Sequence, residues 1–175
     1  ELKTLELRWA RVSGSAQKVA EHLSQHSLVE KVYYAGLKTH PGHKTAKKQM
    51  KNGFGGTLSF DLAFDDQGLI AKFVKSLQNT GLVVFGESLA SPETILAHPA
   101  SMSHRGLTQK RRDELGINTS FFRLSVGFED PTDIINAIDE ALAQCARTTA
   151  SITLAPASDS TFEADSNVAP VVRTS

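Results

Sequence analysis

Apolar residues recur along this chain with two spacings, one typical of helices and one typical of strands. In residues 2–25 they return every three or four positions, which predicts a long helix with a kink or break at Gly14. The pair Asp130-Pro131 places a side-chain acceptor before a proline, which is typical of a helix start. Helices are therefore predicted over 2–25, 43–50, 67–78 and from Asp130-Pro131 onward.

Strand-like segments lie between these helices. Residues 57–64 alternate so that Leu58, Phe60, Leu62 and Phe64 share one face, as in a sheet that is covered on one side only. Strands are predicted over 29–34, 57–64, 82–85 and 121–126, with a loop between the last two. This order of elements indicates an α/β two-layer domain in which helices cover one side of a sheet.

Composition restricts the class of ligand. Hydrophobic residues make up 40% of the 175 positions, and charged residues make up 22%, as in ordinary globular proteins. Lys+Arg and Asp+Glu are equal at 19 each, so no net field attracts nucleic acid or an anionic membrane, and no apolar run is long enough to span one. Small acidic or zwitterionic ligands fit this balanced charge better than nucleic acid or an anionic membrane does. The single cysteine, Cys145, excludes an internal disulfide, and we expect a cytoplasmic protein.

The composition changes near Ala146. The residues that follow are rich in Ala, Ser, Thr, Pro and acidic side chains, and they carry no periodic apolar pattern. Such a segment has too little apolar surface to offset the entropy of ordering it. We therefore expect one domain over residues 1–145 and a mobile tail over residues 146–175.

Three motifs that suggest ligand sites are better explained as structure. The pair His40-x-x-His43 has metal-compatible spacing, but no nearby Cys or carboxylate completes a coordination shell. Residues 53–56 (Gly-Phe-Gly-Gly) precede a strand and do not open a helix, so a turn or bulge is favoured over a phosphate site. The lysines of residues 44–51 lack stacking aromatics and suit a solvated helix face rather than RNA. No metal is expected.

Arg123 is the strongest candidate for ligand binding. Alternation in the last strand places Phe121, Arg123 and Ser125 on the face opposite the apolar residues, so the arginine can face a polar cleft. Its planar guanidinium matches a carboxylate through two parallel hydrogen bonds. The alternative is an internal ion pair with Glu129 or Asp130.

Three segments carry a resemblance to a known family: Glu87-Ser88-Leu89, residues 98–104 (His-Pro-Ala-Ser-Met-Ser-His) and residues 123–130 (Arg-Leu-Ser-Val-Gly-Phe-Glu-Asp). They resemble the C-terminal domain of the cysteine/methionine-metabolism pyridoxal-phosphate (PLP) enzymes, which include cystathionine γ-synthase and γ-lyase. The resemblance extends over about residues 1 to 145. It implies the small C-terminal domain of the aspartate-aminotransferase fold (fold type I), with an antiparallel-rich sheet, in a cytoplasmic homotetramer. The segment from Arg147 to Ser175 departs from the family pattern.

The same resemblance implies three substrate-binding residues. The matching arginine, Arg123, would bind the substrate α-carboxylate, with Ser88 beside it. Glu87 would attract the distal ammonium of cystathionine. A turn-forming serine and an exposed salt bridge are the respective alternatives for Ser88 and Glu87. No segment resembles the family's Ser-x-Thr-Lys, so the Schiff-base lysine and most cofactor contacts are expected upstream, and this chain alone is expected to be inactive.

The leading hypothesis is a PLP-dependent trans-sulfuration enzyme of the cystathionine γ-synthase/γ-lyase type, acting in cysteine and methionine metabolism. Methionine γ-lyase and O-acetylhomoserine sulfhydrylase are alternatives within the family. The sequence Ser88-Leu89-Ala90-Ser91 replaces the more common Ser-Leu-Gly-Gly, and the loss of both glycines leaves the exact substrate open. The alternative hypothesis from a different functional class is that the chain is a stand-alone, non-catalytic domain for partner binding or oligomerisation.

Overall fold

A five-stranded mixed sheet forms the centre of the fold, which the computed structural model describes over residues 2–154, with side chains through Thr149. The strands are β1 (Val29–Tyr33), β2 (Thr57–Leu62), β3 (Val83–Phe85), β4 (Thr94–Ala97) and β5 (Phe121–Ser125). Their order across the sheet is β1-β2-β5-β4-β3. The β3–β4 pair is parallel, and the other pairs are antiparallel. The last strand of the described residues, β5, therefore lies in the middle of the sheet.

Helices pack against the sheet through one apolar core. Those that do so are α1 (Leu5–Leu23), which follows a 3₁₀ turn at Leu2–Thr4, α3 (Gln67–Asn79) and α5 (Pro131–Leu154), whereas the short helices α2 (His43–Gln49) and α4 (Gln109–Glu114) have no buried residue. At the centre of the core Phe60 stacks on Phe122 with ring centroids 5.8 Å apart, and Phe73 of α3 meets both rings edge-on. All three side chains are fully buried. The α/β architecture predicted from the sequence is confirmed.

The prediction of a loop between β3 and β5 is wrong, because a strand and a helix form there. Strand β4 lies within it, and all four of its residues are buried, so the strand shows no alternation of polar and apolar positions. Helix α4 also lies within it. Its six residues are polar or charged, and it is started by the Thr108 hydroxyl, which accepts a hydrogen bond from the Arg111 amide at 3.3 Å.

The two long helices also differ from their predicted courses. Helix α1 runs without a break through Gly14, whose missing Cβ would meet no atom within 4 Å. Helix α5 begins as predicted, with Asp130 Oδ1 accepting a hydrogen bond from the Thr132 amide at 2.8 Å. It continues to Leu154, so the boundary predicted at residue 146 falls inside a helix. Residues 155–175 lie outside the described residues, and their mobility stays a prediction.

Cys145 is a buried thiol on α5. The Cys145 thiol lies 3.6 Å from the Leu69 carbonyl, and burial raises its pKa, which keeps it in the unreactive thiol form.

Within residues 2–154, no helix is long and apolar enough to cross a membrane.

Candidate functional site

Arg123 lies on the central strand β5, on the face of the sheet opposite the phenylalanine core. Its cross-strand neighbours are Ser59 on β2 and Ala97 on β4. Directly opposed residues point to the same face of a sheet, and both neighbours have short side chains. The guanidinium is therefore not covered by bulky groups from the adjacent strands.

Two backbone carbonyls hold the guanidinium. Arg123 Nη2 donates to the carbonyl oxygen of Glu87 at 2.7 Å and to that of Ser88 at 3.1 Å. Both carbonyls belong to the loop over residues 86–93, called here the β3–β4 loop. Arg123 Nε is buried and has no hydrogen-bond partner among the described residues. The side chain is therefore fixed at one edge and keeps donor capacity for another group.

The ion pair with Glu129 or Asp130 that was the alternative for Arg123 is not formed. The Glu129 carboxylate accepts hydrogen bonds from the Thr94 amide and hydroxyl, each at 2.7 Å. Asp130 caps α5, and its hydrogen bond from the Thr132 amide is the main cause that lowers its pKa. Carbonyl oxygens do not neutralise a guanidinium, so the Arg123 charge has no carboxylate partner within the described residues.

Glu87 and Ser88 approach Arg123 through their backbones, while their side chains are exposed. The Glu87 carboxylate forms no ion pair with any residue in the described part of the chain, so the salt bridge considered for it is not formed there. The three predicted residues thus meet at one place. The structure leaves the two side chains available to a ligand, and their substrate roles stay predictions.

Ser125 is a member of this site that the sequence reasoning did not single out. It lies two residues after Arg123 on the same face of β5 and is 2% exposed. Its hydroxyl oxygen accepts a hydrogen bond from the Ala90 amide at 3.0 Å. Ala90 has φ 60°, in the left-handed region, where alanine is disfavoured and glycine is not.

A second clamp holds the end of the β3–β4 loop. Besides the bonds from Thr94 to Glu129, the Gly127 amide donates to Thr94 Oγ1 at 2.9 Å, and the Phe128 amide donates to the Pro92 carbonyl at 2.7 Å. From α1, Arg11 donates to the carbonyls of Phe128 and Glu129 at 2.9–3.2 Å. The segment that follows β5 is thereby fixed between a helix and the loop.

A cavity of about 370 Å³ lies next to the β3–β4 loop. Its wall combines α1, the glycine-rich segment and the loop, with the apolar side chains of Trp9, Val12, Phe54, Leu89 and Phe128. No lysine lines it among the described residues. Ala90 and Ser125 also line this cavity, whereas Arg123, Glu87 and Ser88 do not.

The motif that begins at His98 contributes to packing. Because a carbonyl only accepts, His98 Nε2 carries the proton and donates to the Thr119 carbonyl at 2.8 Å, which leaves Nδ1 to accept from the Ser101 hydroxyl at 2.7 Å. The ring stacks on Phe122, with centroids 4.8 Å apart, on the core side of the sheet. Burial lowers the His98 pKa against the smaller opposing effect of the Thr119 bond, so the ring is neutral. It faces away from Arg123.

The histidines of the His40-x-x-His43 motif bond to the backbone. His43 Nδ1 donates to the Ala35 carbonyl at 2.8 Å, while His40 Nδ1 accepts from the Gly42 amide at 3.1 Å. Within residues 2–154 no cluster of three or more His, Cys, Asp or Glu could hold a metal. Residues 53–56, expected to form a turn or bulge, form a bent segment before β2, with Gly53 at φ 103° and Gly55 at φ 88° against α1.

Comparison with known proteins places these observations in a family. The family model for Cys/Met metabolism PLP-dependent enzymes matches residues 1–143. The chain is 43% identical over 141 residues to L-methionine gamma-lyase of Fusobacterium nucleatum subsp. polymorphum, covering 81% of this chain and 34% of that protein. It is also 43% identical over 141 residues to cystathionine beta-lyase of Lactococcus lactis subsp. cremoris (strain MG1363), and this match covers 81% of this chain and 36% of that protein.

A solved structure agrees with these sequence matches. The crystal structure of cystathionine gamma synthase from Xanthomonas oryzae pv. oryzae in complex with aminoacrylate and cysteine superimposes with a TM-score of 0.76 at 37% identity, covering 84% of this chain and 37% of that chain. The chain thus spans about a third of the length of the curated relatives it matches. With the family model covering residues 1–143, the chain belongs to the Cys/Met-metabolism family of pyridoxal-phosphate-dependent enzymes.

Proposed function

We propose that this chain is the C-terminal, substrate-contacting domain of a PLP-dependent trans-sulfuration enzyme of the cystathionine γ-synthase/γ-lyase type. In that assignment the sheet and its helices are the small domain of a fold type I enzyme, the complete protein is a cytoplasmic homotetramer, and the Schiff-base lysine lies outside this chain. The observation that carries the proposal is Arg123, a guanidinium held by two carbonyls and without a carboxylate partner among the described residues.

An α-carboxylate is the group that this arginine suits best. The carbonyls of Glu87 and Ser88 fix one edge of the guanidinium, so less rotamer freedom is lost when a ligand binds. A carboxylate would supply both the missing charge and acceptors for the remaining donors. The same Xanthomonas oryzae synthase has been solved in complex with cystathionine, an amino acid with such carboxylates, at a TM-score of 0.76 to this chain.

Holding the carboxylate also determines reactivity. When bound, PLP withdraws electrons from the Cα bond that stands perpendicular to its ring. Arg123 would set the rotation of the substrate about that position, so that the hydrogen on Cα takes the reactive orientation. Ser88 would contribute its exposed hydroxyl or backbone beside the same carboxylate.

Arg123→Lys in the complete enzyme tests the proposal. Lysine replaces a planar fork with a point charge and leaves the carbonyls of Glu87 and Ser88 with a poorer donor. We therefore expect kcat/KM to fall by an amount equivalent to a loss of about 2–4 kcal/mol in transition-state stabilisation. The matched control is Arg111→Lys, because Arg111 lies on exposed α4 and pairs with Glu114 at 2.7 Å. Unchanged kinetics for Arg123→Lys would refute the carboxylate-binding role.

Glu87 addresses the choice of substrate. Its exposed carboxylate, which forms no ion pair with a described residue, is suited to the distal ammonium of cystathionine, a group that methionine lacks. Glu87→Ala should lower kcat/KM for cystathionine about 10- to 100-fold and change the value for methionine much less. Glu93→Ala removes the same charge from the same loop as a control. Equal losses with both substrates would contradict the selectivity role.

A further inference from the structure

We infer that Ser125 is a positioning residue that holds Arg123 in its carboxylate-binding orientation through the β3–β4 loop. The inference rests on the proposed function of Arg123 and extends it to a residue that would not touch the substrate. The path has two hydrogen-bonded steps: Ser125 Oγ accepts from the Ala90 amide at 3.0 Å, and the carbonyls of Glu87 and Ser88 accept from Arg123.

The first step fixes a loop that its own sequence does not favour. Ala90 lies at φ 60°, and the left-handed region costs a non-glycine residue about 1–2 kcal/mol. Such a conformation persists only where surrounding contacts over-determine it. The hydrogen bond from the Ala90 amide to the buried Ser125 hydroxyl is a contact made at that residue itself.

The second step transmits the loop position to the guanidinium. Ser88 and Glu87 precede Ala90 by two and three positions, and the loop is anchored before them by the Gly86 amide, which donates to the Leu96 carbonyl at 2.9 Å. Beyond Ala90, the clamp of Thr94 on Glu129 fixes the other end. Release of Ala90 would therefore free the middle of the loop while both ends stay attached.

Strand geometry explains why Ser125 can perform this task. Residues two apart on a strand share a face, so Ser125 and Arg123 both point towards the β3–β4 loop. Ser125 pairs with Ile95 in β4 and Arg123 pairs with Ala97, so both residues lie beside the strand that the loop enters. Ser125 is 2% exposed, and a hydrogen bond shielded from bulk solvent is stronger than an exposed one.

A double-mutant cycle in the complete enzyme tests the inference. Ser125→Ala should raise KM for cystathionine about 3- to 10-fold, the range that one neutral hydrogen bond provides, with kcat changed less than twofold. In an Arg123→Ala background the same substitution should leave KM within twofold, because the residue through which it acts is absent. Ser120→Ala is the control, since Ser120 is also buried beside β5 but donates to Asn118 at 2.9 Å.

The outcomes separate the two proposals. If Arg123→Ala alone leaves KM unchanged, the proposed function fails. If Arg123→Ala raises KM but Ser125→Ala has no effect, or has an equal effect in both backgrounds, the positioning role fails and the proposed function stands. Should Ser125→Ala not fold, Ser125→Cys keeps nearly the same volume with a weaker acceptor, and it should raise KM about 2- to 5-fold only when Arg123 is present. No rise would overturn the inference.

Discussion

Two loops border the same cavity and reach left-handed backbone conformations by different means. The segment over residues 53–56 uses glycine, at φ 103° for Gly53 and φ 88° for Gly55. The β3–β4 loop uses alanine, with Ala90 at φ 60°, and is held by Ser125 and by the clamp of Thr94 on Glu129. The first loop is shaped by its own residues, whereas the second is shaped by hydrogen bonds from β5 and the residues after it. The loop that contacts Arg123 is therefore the one whose shape depends on residues outside it.

The largest expected effect comes from Gly127, which lies under the clamp of the β3–β4 loop. A Cβ added there would collide with the Pro92 carbonyl oxygen and with backbone of Glu93, neither of which can rotate away. Gly127→Ala should therefore lower the free energy of unfolding by about 2–4 kcal/mol. Urea unfolding of the 175-residue protein measures it. A loss under about 0.5 kcal/mol would show that the loop moves away at little cost.

A smaller loss is expected for Gly53→Ala in the glycine-rich loop. Alanine is strained at φ 103°, and its Cβ would lie 2.6 Å from Ser13 Cβ, so the cost should be about 1–3 kcal/mol in the same measurement. Gly14→Ala is the matched control, because its Cβ would meet nothing within 4 Å in the middle of α1. That control should gain about 0.5–1 kcal/mol from helix propensity. Equal effects at both sites would contradict the described backbone.

The smallest effect, and the opposite sign, is expected for Ala90→Gly. Glycine relieves the left-handed strain but adds entropy to the unfolded chain, so the net gain in unfolding free energy should be about 0.5–1 kcal/mol. Ala63→Gly is the control at an exposed position without positive φ, and it should lose about 0.5–1 kcal/mol. If Ala90→Gly destabilised as much as the control, Ala90 would not be strained.

Elements with a periodic pattern of apolar residues could be predicted from the sequence, and elements without one could not. Strands β2 and β5 alternate, and helix α3 has a clear apolar face, so their periods indicated them. Strand β4 is buried at all four positions and α4 is polar throughout, so neither has a period to detect. In the site, Arg123 was found through its motif, but an alanine gives no sign of positive φ. The role of Ser125 depends on a contact over 35 residues, which no local pattern contains.

The position of β5 has a consequence for synthesis on the ribosome. Among the five strands of the described residues this one is the last to leave the exit tunnel, yet it joins β2 to β4 in the middle of the sheet. Until Phe121–Ser125 emerges, the antiparallel β1–β2 pair and the parallel β3–β4 pair of a nascent chain are not joined to each other, and both pairs have open edges. Open strand edges are templates for intermolecular pairing, and contacts that span 60 or more residues, such as Leu58 with Leu124, form slowly. We therefore expect ribosome-bound chains that stop before Phe121 to be bound by chaperones and to aggregate when released.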